Sequence, residues 1–291
     1  MAKFNRRDIE LLRCIAECRF LTIRQATALL GRSERGAANR FRELEKDEYV
    51  RSTSHNRNGR RGRPEKVLFL KSKGIIALRD NKVAIGRGDA RFLTATNVSA
   101  FDHQLMVNDF RVHLRELSHD AQQLKANFLS ETSPFLPRQA EGRPYIGDVV
   151  RVGKRNRAFI PDGVFSLNHT GAGKRLLFFL EADRGTEAEA KIQQKLETYQ
   201  AYFRTDGYKR YEESFGCQLH GFRLLIVVDS GARFTRLCHL VCRSRPSDFV
   251  WLTDIDEVVG RGLAARIWAR GGRLDRPRES ILGSQAPEVP S

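Results

Sequence analysis

The 291-residue sequence has no apolar run long enough to cross a bilayer. Its longest such runs, LLFFL at 176–180 and LLIVV at 224–228, are far shorter than a membrane span, which takes about 20 residues as a helix. The first ten residues, MAKFNRRDIE, also lack the apolar core of a secretion signal. We therefore expect a cytoplasmic protein that does not enter a membrane.

Cysteine is scarce, and no two of the five cysteines form a Cys-x-x-Cys pair. An odd number of cysteines in a long chain favours reduced thiols over a disulfide framework. Cys14 and Cys18 are four residues apart, as are Cys238 and Cys242, so each pair shares a helix face. We predict that they are small buried residues rather than zinc ligands.

Acidic residues are too few to balance the basic ones. The chain has 51 lysines and arginines against 35 aspartates and glutamates, a net charge of +16. Most of the excess lies in residues 1–79, where 20 basic and 9 acidic side chains give +11, whereas residues 80–291 hold 31 and 26 and reach only +5. Such a concentration of positive charge is typical of a segment that binds nucleic acid.

The basic segment has a regular order of predicted elements. Apolar spacing and turn signals predict three helices, two strands and a closing helix, at 7–18, 22–31, 33–46, 49–53, 66–70 and 71–80. The second helix opens on a capping box, Thr22 to Gln25, and stops at Gly31. This order is similar to that of the winged-helix DNA-binding fold.

The third helix and the loop between the strands carry side chains suited to DNA. Arg35, Asn39 and Arg42 share one helix face, with Arg40 beside them. Arginine and asparagine fit the edges of guanine and adenine in a major groove. The loop adds four arginines for phosphate contacts, Arg57, Arg60, Arg61 and Arg63. We predict binding of double-stranded DNA, and we favour RNA less because no strand pair is rich in aromatic residues.

A second domain follows a polar connector. The sequence divides into a DNA-binding domain at 1–80, a linker at 81–100, a mixed domain at 101–270 and a disordered tail at 271–291. The mixed domain is predicted to contain helices and strands in the order 101–117, 122–132, 157–167, 174–184, 186–204, 222–230, 233–243, 248–254 and 258–270. The helix at 186–204 is expected to begin with a Thr186–Glu189 capping box. The predicted fold class is α/β of the α+β type.

Carboxylates stand inside two of the apolar strands, where a charge is costly unless it is paired or bound to a metal. Asp162 follows Pro161, and Glu181 and Asp183 alternate along the next strand, so that they point to one face. A hairpin through HTGAG would place Asp162 beside Glu181. Carboxylate oxygens hold Mg²⁺, which can activate water at a phosphodiester. The pattern therefore predicts a Mg²⁺ site or an internal ion network.

Three stretches resemble a known family. HQLMVNDFRVHL at 103–114, IPDGVFSL at 160–167 and FFLEADRGTE at 178–187 are similar to the replication-relaxation family of bacterial plasmid and mobile-element proteins. The resemblance implies a winged helix joined to a domain of the PD-(D/E)XK nuclease superfamily, which is restriction-endonuclease-like. By position it makes Asp162 and Glu181 metal ligands, with Asp109 on the first helix of that domain as a weaker third.

One position departs from the nuclease pattern. The superfamily's lysine, two residues after the second acid, is Asp183 here. Lys191 or Lys195, one turn apart on the following helix, could replace it, as migrated lysines do in some relatives, and Arg184 is another candidate. The predicted catalytic group is therefore Asp162, Glu181, Asp183, Lys191 and Lys195, with Mg²⁺ as cofactor. In the alternative interpretation, Asp183 pairs with Arg184 and the domain is inactive.

Two functions remain open from the sequence. The first is metal-dependent nicking of DNA by a protein of plasmid or mobile-element replication or DNA relaxation. The second is a non-catalytic transcriptional regulator or replication accessory factor whose nuclease-like domain dimerises. The expected partners are double-stranded DNA, a second copy of the chain, and replication or mobilisation proteins. A tyrosine-based mechanism is not favoured, because no His-x-His motif occurs and Tyr199 and Tyr202 fit a helix core.

Overall fold

The computed structural model describes residues 4–31, 34–56, 64–95, 101–121, 123–139, 142–170 and 173–283. The chain is a mixed α+β protein, as the sequence predicted. It forms two compact units: Met1–Val112 with Thr132–Tyr145, and His113–Glu131 with Ile146–Ser291. Among the described helices, none combines the length and apolar character that a membrane crossing requires.

The first unit consists of helices and a small antiparallel sheet. Its elements are α1 (Arg6–Cys18), β1 (Leu21–Thr22), α2 (Ile23–Leu30), α3 (Glu34–Lys46), β2 (Val50–His55), β3 (Glu65–Leu70), α4 (Ser72–Asp80) and α5 (Arg87–Thr94). The strands lie in the order β1-β3-β2. The predicted sequence of helices and strands is confirmed, and the short strand β1 is added to it.

Local capping explains where α2 begins and ends. The backbone N–H of Gln25 donates to Thr22 Oγ1 at 3.1 Å, and the backbone N–H of Thr22 donates to Gln25 Oε1 at 3.0 Å. This reciprocal pair satisfies two backbone donors that the helix leaves without partners. Gly31 ends the helix at a φ of 59°, a left-handed conformation that costs glycine little. Both features confirm the sequence prediction.

The core of the first unit extends beyond residue 80. Leu12, Ile15 and Leu68 form part of a buried apolar cluster, and Ile85 and Leu93 belong to the same cluster. Residues 87–94 are helical, although the sequence assigns them to a linker. Only a few apolar side chains occur in this stretch, so its periodicity is weak, but burial of Leu93 ties it to the core.

The second unit is built on a six-stranded sheet. After α6 (Phe101–Asp120), which begins in the first unit, its elements are β4 (Leu124–Ser130), β5 (Asp148–Val152), β6 (Arg155–Phe159), β7 (Gly163–His169), β8 (Lys174–Asp183), α7 (Glu189–Arg204), α8 (Tyr211–Phe215), β9 (Arg223–Val228), α9 (Gly231–Arg243), β10 (Val250–Asp254), α10 (Ile255–Arg261) and β11 (Ala269–Arg270). The strand order is β11-β10-β9-β8-β7-β4, and β5 and β6 form a separate hairpin.

Three parallel strands form the centre of the sheet. β8 pairs in parallel with β9, and β9 with β10, while β4, β7 and β11 are antiparallel to their neighbours. Almost every residue of β9 and β10 is buried, as expected for parallel strands covered on both faces. Glu181 and Asp183 stand at the carboxyl end of β8, the edge at which parallel sheets usually place ligands.

Two predicted element limits are wrong for local reasons. The strand predicted at 157–167 is broken into the end of β6 and β7, because Pro161 cannot donate to a strand ladder. The capping box predicted at Thr186–Glu189 is absent, since α7 begins at Glu189 after Ala188, whose side chain makes no capping hydrogen bond.

The C-terminal part of the second unit also differs from expectation. The helix predicted at 258–270 is α10, which ends at Arg261 because Gly262 takes a φ of 78°. Residues 271–283 are ordered rather than a disordered tail: Ile281 is fully buried and Glu279 bridges to Trp268. Ile281 and its neighbour Leu282 form one short apolar pair in a mostly polar stretch, which gives no periodic signal. Residues 284–291 of the predicted tail lie outside the described residues.

Candidate active site

The β7–β8 hairpin brings Asp162 beside Glu181. Gly163 pairs with Leu180 in the antiparallel register, and the backbone N–H of Asp162 donates to the Leu180 carbonyl at 3.0 Å. Asp162 Oδ2 accepts a hydrogen bond from the backbone N–H of Ala182 at 2.7 Å. Asp162 therefore holds the backbone on both sides of Glu181, and the predicted hairpin is confirmed.

Glu181 is a buried carboxylate with a partner at each oxygen. Glu181 is only 8% exposed to solvent. Lys195 Nζ donates to Oε2 at 2.9 Å, and the Tyr199 hydroxyl donates to Oε1 at 2.5 Å. Lys195 and Tyr199 are one turn apart on α7, so both side chains reach the same carboxylate. One positive charge and one hydroxyl thus compensate the buried negative charge.

Burial dominates the protonation behaviour of this cluster. Burial raises the pKa of Glu181; the Lys195 charge opposes this increase, and the Asp162 charge adds to it. Burial likewise raises the pKa of the Tyr199 hydroxyl well above its usual value, and the Glu181 charge adds to the increase. Burial alone would lower the pKa of Lys195, but Glu181 and Glu187 outweigh it and the pKa is raised. Lys195 therefore remains a cation and Tyr199 remains a hydroxyl donor at neutral pH.

The two predicted lysines have different partners. Lys195 Nζ lies 3.0 Å from Glu187 Oε2 as well as contacting Glu181, and Lys191 Nζ lies 2.8 Å from Glu187 Oε1. Lys191 is exposed, whereas the Lys195 side chain is partly buried. Of these two lysines, Lys195 is the one whose amine joins the carboxylate cluster.

Asp183 is held in a buried ion pair with α9. Arg233 Nε and Nη2 donate to Asp183 Oδ2 at 3.1 and 2.7 Å. The backbone N–H of Gly185 donates to Oδ1 at 2.6 Å, and Arg233 Nη2 also donates to the Glu187 carbonyl at 2.9 Å. Both charged side chains are almost fully buried. Asp183 therefore has its counter-ion within the fold, which matches the predicted ion-pair alternative in kind but with Arg233 as the partner.

Asp109 is engaged within the first unit. Gln25 Nε2 donates to Asp109 Oδ1 at 2.8 Å, and Arg24 Nη2 lies 3.6 Å from the same oxygen. Asp162 and Glu181 belong to the second unit, and the assignment of Asp109 as a further metal ligand stays a prediction. Over the described ranges, no group of three or more His, Cys, Asp or Glu side chains is arranged to hold a metal.

The predicted DNA-contacting residues of α3 fall into two groups. Arg35, Asn39 and Arg42 are exposed, and Arg42 Nη2 donates to Asn39 Oδ1 at 2.8 Å. Arg40 instead donates to the buried carboxylate of Asp8 through Nε at 2.7 Å and Nη2 at 2.5 Å, which ties α3 to α1. The four loop arginines lie outside the described residues: Arg57, Arg60, Arg61 and Arg63.

Sequence reasoning missed three residues of the second unit: Tyr199, Glu187 and Arg233. Tyr199 is in the core as predicted, with ring contacts to Phe159 and Phe179, but its hydroxyl also reaches Glu181. Its position one turn after Lys195 is the signal that could have indicated this. Arg233 follows Asp183 by 50 residues, and such a distant pairing leaves no local pattern.

The replication-relaxation family matches the chain over residues 12–216. Because this match covers more than half of the 291 residues, the chain belongs to that family, as its sequence resemblance indicated. Membership points to a role in the replication of plasmids or mobile genetic elements. No curated protein matches the chain.

The Asp183–Arg233 pair should be strongly coupled. Asp183→Asn or Arg233→Met leaves one buried charge without its partner, so each should lower the free energy of unfolding by about 3–5 kcal/mol. The double variant should cost less than the sum of the two single variants, as measured by urea denaturation.

The exposed pair of Arg261 and Glu257, 2.9 Å apart on α10, offers a matched control. Arg261→Gln should cost at most about 1 kcal/mol, because solvent screens this pair. Strictly additive losses for Asp183→Asn and Arg233→Met would contradict the buried coupling.

Proposed function

We propose that the chain is a DNA-binding protein of plasmid or mobile-element replication that nicks DNA by metal-dependent hydrolysis of a phosphodiester. The observation that carries this proposal is the convergence of Asp162, Glu181 and Lys195 at one end of β8. Two carboxylates and an amine are the groups that a PD-(D/E)XK nuclease uses, and Lys195 would replace the lysine missing at position 183. In this chain the amine would reach the site from α7 rather than from the strand.

The order of the second unit's elements supports the same proposal. A helix, three antiparallel strands, a helix and a parallel strand, here α6, β4, β7, β8, α7 and β9, follow one another as in the nuclease core. The β5–β6 hairpin is then an insertion between the first two strands of that core. The acids stand on β8 and directly before β7, which are neighbouring strands.

Asp162 and Glu181 are the residues that would hold Mg²⁺. Their carboxylates are close enough for the Asp162 charge to raise the pKa of Glu181, and a divalent cation would relieve that repulsion. A carboxylate offers about four lone-pair sites, so the hydrogen bonds from Lys195 and Tyr199 leave room for a metal at Glu181. Mg²⁺ commonly uses one or two carboxylates together with water and phosphate.

Bound Mg²⁺ would supply charge stabilisation and an activated water. Lys195, which keeps its positive charge, would attract the phosphate and stabilise negative charge developing on it. Tyr199 would orient the Glu181 carboxylate through its hydroxyl. Asp183 would position neighbouring residues rather than take part in the reaction. Its partner Arg233 also binds the Glu187 carbonyl and so anchors the segment between β8 and α7.

DNA recognition is proposed to lie in the first unit, as a winged helix. Arg35, Asn39 and Arg42 would enter the major groove from the exposed face of α3. The loop between β2 and β3 would be the wing, with its arginines on phosphates. Arg40 is left out of this surface because it pairs with Asp8.

A non-catalytic role is the second candidate. Glu181 is already compensated by Lys195, and Asp183 by Arg233, so the acids could brace the sheet without a metal. The chain would then bind DNA as a regulator or replication accessory factor, and its second unit would dimerise or dock a replication protein.

A plasmid-nicking assay with Mg²⁺ or Mn²⁺ tests the catalytic proposal. Asp162→Asn, Glu181→Gln and Lys195→Met should each slow nicking by about 100-fold or more, as removal of charge stabilisation does in other enzymes. Lys191→Met is the matched control, since Lys191 contacts Glu187 and not Glu181; its effect should be small. Nicking that survives in both acid variants would contradict the assignment. An inactive wild type with intact DNA binding would favour the second candidate.

DNA binding by α3 can be tested separately by fluorescence anisotropy with a duplex selected from a random library. Arg35→Ala and Asn39→Ala should each weaken binding by about 1–3 kcal/mol and relax base preference at one position. Arg7→Ala, an exposed arginine of α1, is the control and should leave base preference unchanged. Unaltered base preference in both α3 variants would contradict the docking of α3 in the major groove.

The wing variant Arg60→Ala with Arg61→Ala should weaken binding to all sequences and flatten the salt dependence of binding.

A further inference from the structure

A cleft of about 440 Å³ lies in the second unit, away from the carboxylate cluster. It is lined from the starts of β8 and β9, the end of α7 and the β10–β11 edge, by residues that include Arg175, Phe203, Arg223, Phe249, Trp251 and Arg270. Arg175 and Glu181 are six positions apart on β8, a separation of about 20 Å along a strand. The cleft therefore opens at the amino end of β8, and the carboxylates stand at its carboxyl end.

The cleft is electropositive. Burial lowers the pKa of Arg223, and the charge of Arg270 lowers it further, with Glu279 opposing. Two guanidinium groups are thus close enough to repel each other in a partly buried site. An anion placed between them would relieve this repulsion.

The arginines are held in place mainly without acids. Arg223 Nη1 donates to the Ile281 carbonyl at 2.7 Å, and its guanidinium lies over the Trp251 ring, 4.4 Å from the centroid. Arg175 Nη1 donates to the Gly216 carbonyl at 2.7 Å. Carbonyl oxygens and an aromatic ring orient a guanidinium group but leave its net charge available to a ligand.

Two carboxylates lie near the cleft, one paired with an arginine outside the lining and one with Arg270 itself. Asp248, the acid among the described residues that line it, is ion-paired with Arg273. Glu279 lies 3.8 Å from Arg270, a loose pair in which both side chains are more than a third exposed. These acids therefore reduce the positive charge of the cleft without cancelling it.

An aromatic ring, Phe203, lines the same cleft as the arginines. Phe203 is 38% exposed, an unusual exposure for a ring that contacts Phe249 and Phe222 at centroid distances of 5.7 and 5.4 Å. Gly221 lies beside it, where a methyl group would come within 3.3 Å of the ring. A partly exposed ring in a cleft that is also lined by guanidinium groups suits a planar base joined to a phosphate.

We propose that this cleft binds a nucleotide, with its base against Phe203 and its phosphate among Arg175, Arg223 and Arg270. The volume is within the range of small-ligand sites. A free nucleotide and one nucleotide of a single strand present the same chemistry. The proposal does not depend on the nicking activity, because no residue of the cleft belongs to the carboxylate cluster or to α3.

Calorimetric titration of the full chain with deoxyadenosine monophosphate tests the site. Saturable binding is expected, and it should be tighter than the binding of deoxyadenosine, which lacks the phosphate, or of inorganic phosphate, which lacks the base. A single-stranded hexamer of deoxyadenylate distinguishes a free nucleotide from a nucleotide within a single strand. Tighter binding of the hexamer that depends on Phe203 identifies a strand as the ligand. Binding no tighter than that of the monophosphate identifies the free nucleotide.

Three variants make the result specific. Phe203→Leu removes the stacking ring and Arg270→Gln removes an exposed cation, and each should weaken binding of the monophosphate by about tenfold. Arg236→Gln, an exposed arginine of α9 outside the lining, should bind as the wild type does. Circular dichroism confirms that the variants are folded. Absence of saturable binding, or wild-type affinity in both folded cleft variants, would overturn the proposal.

Discussion

The buried carboxylate of Glu181 is the constraint on which the second unit depends. A negative charge at this depth is costly unless cations and hydrogen-bond donors meet it. Lys195 and Tyr199 supply both from adjacent turns of α7, and Asp162, directly before β7, holds the backbone on either side of Glu181. A charge that would weaken an apolar strand thereby fixes the positions of a helix and a hairpin.

Glu187 connects this cluster to the neighbouring ion pair. Its side chain contacts Lys191 and Lys195, while its backbone carbonyl accepts a hydrogen bond from Arg233, the partner of Asp183. The short segment between β8 and α7 is therefore held by side chains of both α7 and α9. Such a network can position a metal site, and it also braces the end of β8 without a metal.

Sequence patterns predicted what is local or periodic. Alternation along β8 placed Glu181 and Asp183 on one face, the turn predicted the β7–β8 hairpin, and Thr22, Gln25 and Gly31 predicted the limits of α2. Sequence patterns could not predict the ion pair of Asp183 with Arg233 or the hydrogen bonds from Arg40 to Asp8, because each joins residues far apart in sequence. The burial of Leu93 and Ile281 could not be predicted either, because one or two apolar residues in a polar stretch give no periodic signal and are recognised as core only from the tertiary packing.

We propose that Glu181 and Asp162 together hold a divalent metal, and titration calorimetry of the full chain with Mn²⁺ tests this site most directly. Saturable binding is expected in the wild type and in Lys191→Met, and its loss is expected in Glu181→Gln and in Asp162→Asn. Because burial raises the pKa of Glu181, affinity should also fall as the pH falls through that raised value. Equal Mn²⁺ affinity in the wild type and in both acid variants would contradict a metal site at these two carboxylates.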